Sequence, residues 1–219
     1  DCELNKKLTL PQTIIITLFC IMMILAIFNM PQLGIFSIGV SALFVVIATL
    51  SDSKGIFISI AMVILGLVLF IKPIYIFDIC LNFIIPGIII GMITKNVLNH
   101  REDNKYNPIF MGTIAFIIGL IANYLISKYL FNINILEEFT SVMKTQLSTQ
   151  ISAIQESVSS LASVSNITEE SIIQTVLNIM PLILFSRSIM LSILTYFLAI
   201  YTLKKIRKND LKEKLMQIK

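Results

Sequence analysis

Two ionisable side chains, Asp78 and Arg187, stand inside long apolar runs of the chain. A charge at membrane depth is costly, so such residues are functional candidates by default. Asn82 follows Asp78 by four residues, which puts both on one helix face, and Asn123 falls in the outer half of another run. If these runs adjoin, Asp78, Asn82, Asn123 and Arg187 form one polar cluster open toward the outside. That set suits the binding of a small polar or anionic ligand, with the Arg187 guanidinium as anchor. The plainer alternatives are a structural Asp78 to Arg187 pair, or an Arg187 that snorkels to the outer interface.

Catalytic constellations are missing. The sequence has no P-loop, no His-Glu-x-x-His, no Gly-x-Ser-x-Gly and no pair of intramembrane carboxylates, so no catalytic residue is expected and the chain does not read as an enzyme. His100, the single histidine, sits in a charged loop beside Arg101-Glu102-Asp103. Cys2, Cys20 and Cys80 have no metal-like spacing, which argues against both a metal site and a disulfide framework and implies no cofactor.

The elements that must position the polar residues follow from composition. Of 219 residues 56% are hydrophobic and 14% charged, against roughly 45–50% and about 25% in soluble domains. The mean hydropathy of +0.88 therefore describes a polytopic, all-α membrane protein whose surroundings are the lipid bilayer. Six apolar runs predict transmembrane helices over 8–28, 33–50, 55–71, 74–93, 109–131 and 179–203. The second and third are short, and a re-entrant pair is the alternative there. The first run is long enough to span and lacks a small-residue cleavage site, so no signal peptide is expected. The chain begins with Asp1, not methionine, as a fragment lacking an upstream segment would.

Basic residues orient the spans, because cytoplasmic loops retain Lys and Arg. With six crossings and the N-terminus inside, thirteen of them lie inside and only Lys72, Lys128 and Lys144 outside. Both termini are thus expected in the cytoplasm of a bacterial inner membrane. The basic tail, 204–219, reads as a stop-transfer anchor worth about 1 kcal/mol per basic residue near anionic headgroups, not as a nucleic-acid site.

Between spans five and six, residues 133–178 are expected to form an extracytoplasmic helical hairpin inserted into the single transmembrane domain, 1–219. Leu136, Phe139, Met143, Leu147, Ile151, Ile154, Val158 and Leu161 recur in steps of three or four, keeping one helix face apolar. Thr168 is a natural N-cap for a second helix, with Glu169-Glu170 in its first turn. The stripe packs on its own chain or the membrane surface, or serves a second copy or a membrane partner. Gly87 and Gly91 form a small-xxx-small face, and Gly112 and Gly119 are placed for close helix contact as well.

Pro86-Gly87-x-x-x-Gly91 followed by Lys95, the Glu/Ser/Gln-rich detour, and a last span written Met180-Pro181-Leu182-Ile183 with Tyr196 and a Leu203-Lys204-Lys205 exit together resemble the YybS-like bacterial membrane proteins. That family is similar in architecture to the substrate-binding S components of energy-coupling-factor (ECF) vitamin transporters. The resemblance implies a small-molecule binding or uptake subunit. S components carry Ala-x-x-x-Ala on the first span to dock their coupling subunit, whereas the first span here has one alanine, Ala26. A structural protein recruiting a cell-envelope or division partner through the hairpin is the competing expectation.

Overall fold

The computed structural model describes residues 8–99, 104, 106–157 and 169–217. Expectations for His100 to Asp103 and for Val158 to Thr168 lie outside these residues, as do the side chains of Leu147, Ile151 and Ile154. The secondary structure among the described residues is helical throughout, with no strand. In order come α1 (Leu10–Asn29), a 3-10 turn (Pro31–Phe36), α2 (Ser37–Leu50), α3 (Ser53–Val68), α4 (Pro73–Ile79), a π turn (Cys80–Ile84), α5 (Ile85–Asn99), α6 (Asn107–Tyr129), α7 (Ile135–Ser157) and α8 (Glu169–Gln217).

Local chemistry sets several of these boundaries. Thr9 and Gln12 make a reciprocal capping box at the start of α1, with Pro11 in its first turn. Pro73 opens α4 from the first helical position, where its missing N–H costs nothing. Among the described residues, five stretches are long and apolar enough to cross a bilayer: Leu10–Asn29, Gln32–Leu50, Pro73–Asn99, Asn107–Tyr129 and Glu170–Ile206. The remaining expected span is α3, whose 16 residues reach only about 24 Å at 1.5 Å each, short of a hydrocarbon core of about 30 Å. Length alone therefore supports five crossings, not six. The second helix of the detour runs straight into the last span, α8 continuing unbroken through Pro181 from Glu169 to Gln217.

Two compact units form, Asp1–Asn123 with Ser188–Lys219, and Tyr124–Arg187. In the first, α1 and α3 run side by side in the same direction. The Thr17 hydroxyl donates to Ser59 Oγ at 2.9 Å, Gly55 lies near Thr13, and Gly66 lies against Ile21. Where α1 ends, Phe28 meets Tyr75 of α4 edge to face, ring centroids 5.4 Å apart. α2 runs parallel to α5, its most extensive partner. Around them Phe44, Ile47, Val63, Leu67 and Ile84 are fully buried.

In the second unit α6 stops in a turn that needs a left-handed residue. Asn132 takes φ 55°, a region that asparagine tolerates better than most side chains, and the Ile133 N–H returns to the Ser127 carbonyl at 2.9 Å. Just before the turn, Lys128 Nζ stands over the rings of Tyr124 and Tyr129, 5.8 and 5.7 Å from their centroids. Tyrosines with a snorkelling lysine are what a membrane–water interface selects. After the turn α7 presents Leu136, Phe139 and Val142 as exposed side chains.

Candidate binding site on the fourth span

The fourth span is not one regular helix. Pro86 has no N–H, and its ring clashes with the carbonyl four residues back in an undistorted helix. The chain answers by widening the turn just before it, the Ile85 N–H bonding the Cys80 carbonyl five residues back. Single π turns inside α-helices are frequent at functional sites. This one contains Asn82.

The widened turn also has a bare backbone carbonyl to accommodate. In the π pattern Leu81 would find its donor at the nitrogen of Pro86, which carries no hydrogen. Gly119 of α6 lies so close to this carbonyl that an added Cβ would collide with it. Glycine is therefore what lets α6 approach the π turn. One helical turn further along α6, on the same face, is Asn123.

That approach completes a polar node. Asp78 Oδ1 accepts from Asn82 Nδ2 at 2.6 Å and from Asn123 Nδ2 at 2.7 Å. Asn82 is 5% exposed, while Asp78 and Asn123 are half-buried. The carboxamide oxygen of Asn82 is buried with no hydrogen-bond partner, although buried carboxamides ordinarily have one. The node thus holds a carboxylate with two amide donors and one acceptor left over. Arg187 belongs to the other compact unit and is exposed.

The four glycines lie where helices come closest. A Cβ on Gly87 would sit 2.5 Å from the Ser41 carbonyl oxygen, and one on Gly91 2.6 Å from both Ala48 Cβ and the Val45 carbonyl oxygen. Both therefore hold α5 against α2, and the Lys95 ammonium extends that seam by donating to the Ser51 carbonyl at 3.0 Å. On the other side of the fourth span Gly112 abuts Ile90 and Ser192, with the Ser192 hydroxyl donating to the Ile109 carbonyl at 2.7 Å.

Sequence reasoning overlooked a second buried polar seam. Thr13 and Ser51 hydroxyls meet at 3.3 Å, and Thr17 bonds Ser59. The signal was a run of small hydroxyl residues one turn apart, Thr9, Thr13 and Thr17, in an otherwise apolar helix. Each hydroxyl also finds a helical carbonyl or a neighbouring hydroxyl, so the seam reads as helix packing. Among the described residues no group of three or more His, Cys, Asp or Glu is placed to hold a metal ion.

A family profile described as "Predicted membrane protein (DUF2232)" matches residues 17–218. No curated protein matches the chain, and no solved structure does.

Proposed function

The chain belongs to the DUF2232 family of predicted membrane proteins, and we propose that it is a solute-binding or uptake subunit, S-component-like, that takes a small polar solute from the outer side at Asp78, Asn82 and Asn123. One observation carries this reading. Three polar side chains from two helices converge at membrane depth, and one buried oxygen among them lacks a donor. A node that served packing alone would be expected to satisfy all its own polar atoms. Its role is binding and not catalysis, and energy for uptake would come from partner subunits.

The proposal includes six crossings, with both termini in the cytoplasm of a bacterial inner membrane. α3 is short, yet it accompanies α1 in the same direction toward the end where Phe28 meets Tyr75. Charge argues the same way. With α3 turned back, the better of the two orientations leaves ten basic residues inside and six outside, a weaker bias than thirteen to three. A short span is accommodated by local thinning of the bilayer at a fraction of a kcal/mol per Å.

The test is a thermal-shift screen of the purified chain against vitamins, nucleosides and amino acids. A ligand whose stabilisation disappears in Asn82→Leu and Asn123→Leu supports the reading. It fails if no compound binds, or if every hit is indifferent to all three node residues. An Arg187→Ala variant that binds a hit with unchanged affinity removes that residue from the site. The exposed Leu136, Phe139 and Val142 of α7 favour a second reading, in which the extracytoplasmic segment recruits an envelope or division partner. Pull-down through α7, lost in Phe139→Ser with the node intact, would favour it.

A further inference from the structure

Within Tyr124–Arg187, α6 ends with Lys128 over the rings of Tyr124 and Tyr129, a grouping suited to the membrane–water boundary. α7 begins at Ile135, six residues after Tyr129. Six residues reach about 20 Å when fully extended, and these are not extended. Asn132 takes φ 55°, and the Ile133 N–H turns back to the Ser127 carbonyl at 2.9 Å. Asn134 then opens the new helix, its carbonyl accepting from the Glu138 N–H at 3.0 Å and its Nδ2 donating to Glu137 Oε1 at 2.7 Å. A turn tied to both helices therefore starts α7 close to the level at which α6 leaves the bilayer.

We propose that α7 lies along this phospholipid surface, its apolar face at the boundary between headgroups and acyl chains, held there by apolar contact and not by charge. Ile135, Leu136, Phe139 and Val142 are exposed, and at about 100° per residue they fall within about a third of the helix circumference. Ser141 and Lys144 fall on the opposite side. A wide apolar face backed by a polar one is what lets a helix lie in the interface.

Charge narrows the kind of surface. The polar positions of α7 are mostly Ser, Thr and Gln, and its charged residues are Glu137, Glu138, Lys144 and Glu156, one basic against three acidic. Basic interfacial helices gain strength from anionic lipids, and this one has no such gain to make. A zwitterionic surface, entered by the apolar face alone, is the match. Continuity with the boundary at Lys128 favours lipid over protein as the occupant, because a protein partner would have to displace a surface already beside the helix. The placement of α7 is independent of solute binding at Asp78.

The full chain, in a cysteine-free background, would carry an environment-sensitive fluorophore at Val142→Cys or at Ser141→Cys in phosphatidylcholine nanodiscs. One quencher is a doxyl group on a lipid near its headgroup, and the other is iodide in the water. Doxyl lipid is expected to quench the label at 142 severalfold more than the label at 141, and iodide to show the reverse order. The pattern should persist at high salt and gain nothing from added phosphatidylglycerol. Changing the exposed Leu136 and Phe139 together to serine should make both labels equally open to iodide.

The inference is overturned if the two labels of the parent chain are equally open to iodide, which would stand α7 away from the bilayer. Shielding at 142 from iodide and doxyl lipid alike would overturn it too, since the face would then be covered by its own chain, a second copy or a protein partner. Doxyl quenching that requires phosphatidylglycerol, or that disappears at high salt, would contradict attachment without charge.

Discussion

Asn123 reaches from α6 to Asp78 on α4 and donates an N–H to its Oδ1 at 2.7 Å, so a carboxylate at membrane depth is partnered by a neighbouring helix as well as by its own. The bond exists because Gly119, one turn before Asn123, allows the backbones to approach. Removing either partner should therefore have unequal consequences.

A double-mutant cycle on Asp78→Ala and Asn123→Ala, followed by unfolding in bicelles, is expected to give a coupling energy of about 1 kcal/mol. Hydrogen bonds between membrane helices average about 0.6 and reach about 1.7 kcal/mol, and a charged acceptor belongs toward the upper end. Additive losses, within about 0.3–0.5 kcal/mol, would mean the two side chains do not act together.

Gly91→Val should cost about 2–3 kcal/mol, because the new side chain meets the Val45 backbone and Ala48 Cβ with no flexible atom to yield. Gly34→Ala, whose Cβ has nothing within 4 Å, should stay within about 0.5 kcal/mol of the parent. Similar losses at both positions would contradict the close α2 to α5 seam.

Thr17→Val is shape-preserving and removes the hydroxyl bonded to Ser59. Ser59 keeps its bond to the Gly55 carbonyl, so no polar atom is orphaned. The expected loss is about 0.6 kcal/mol, the average for such interhelical bonds in membranes. A loss of several kcal/mol would show that the Thr13, Thr17, Ser51 and Ser59 seam does more than pack helices.

Six crossings put Lys54 and Lys72 on opposite faces of the membrane. Single cysteines at Lys54→Cys and Lys72→Cys, in a cysteine-free background, should be labelled by an impermeant maleimide from opposite sides in oriented vesicles. Labelling from one side would make α3 a re-entrant helix and reverse the orientation of everything after it on the chain.

Much of this protein is decided locally, and that part is legible in sequence. Apolar runs longer than about 17 residues place α1 and α6 close to both their ends and the fourth span at its start, because a helix in lipid must satisfy its own backbone, while the fourth span continues past its apolar run to Asn99. Steps of three and four predict the apolar stripe of α7, and Gly87, Gly91, Gly112 and Gly119 stand out as small residues in spans. Two features that remained hidden depend on what lies across a helix interface. Pro86 signals a disturbance, but whether it bends, breaks or widens the helix depends on Gly119 making room for the Leu81 carbonyl. Asp78, Asn82 and Asn123 could be named from their types, while their joining at one carboxylate oxygen required α4 and α6 to run antiparallel in a register that places residue 123 beside 78. That register comes from glycine contacts between different helices, Gly119 against Leu81 and Gly112 against Ile90, where hydropathy carries no information. Tertiary packing also buried Asn82 Oδ1 without a donor, which a list of polar residue types does not disclose.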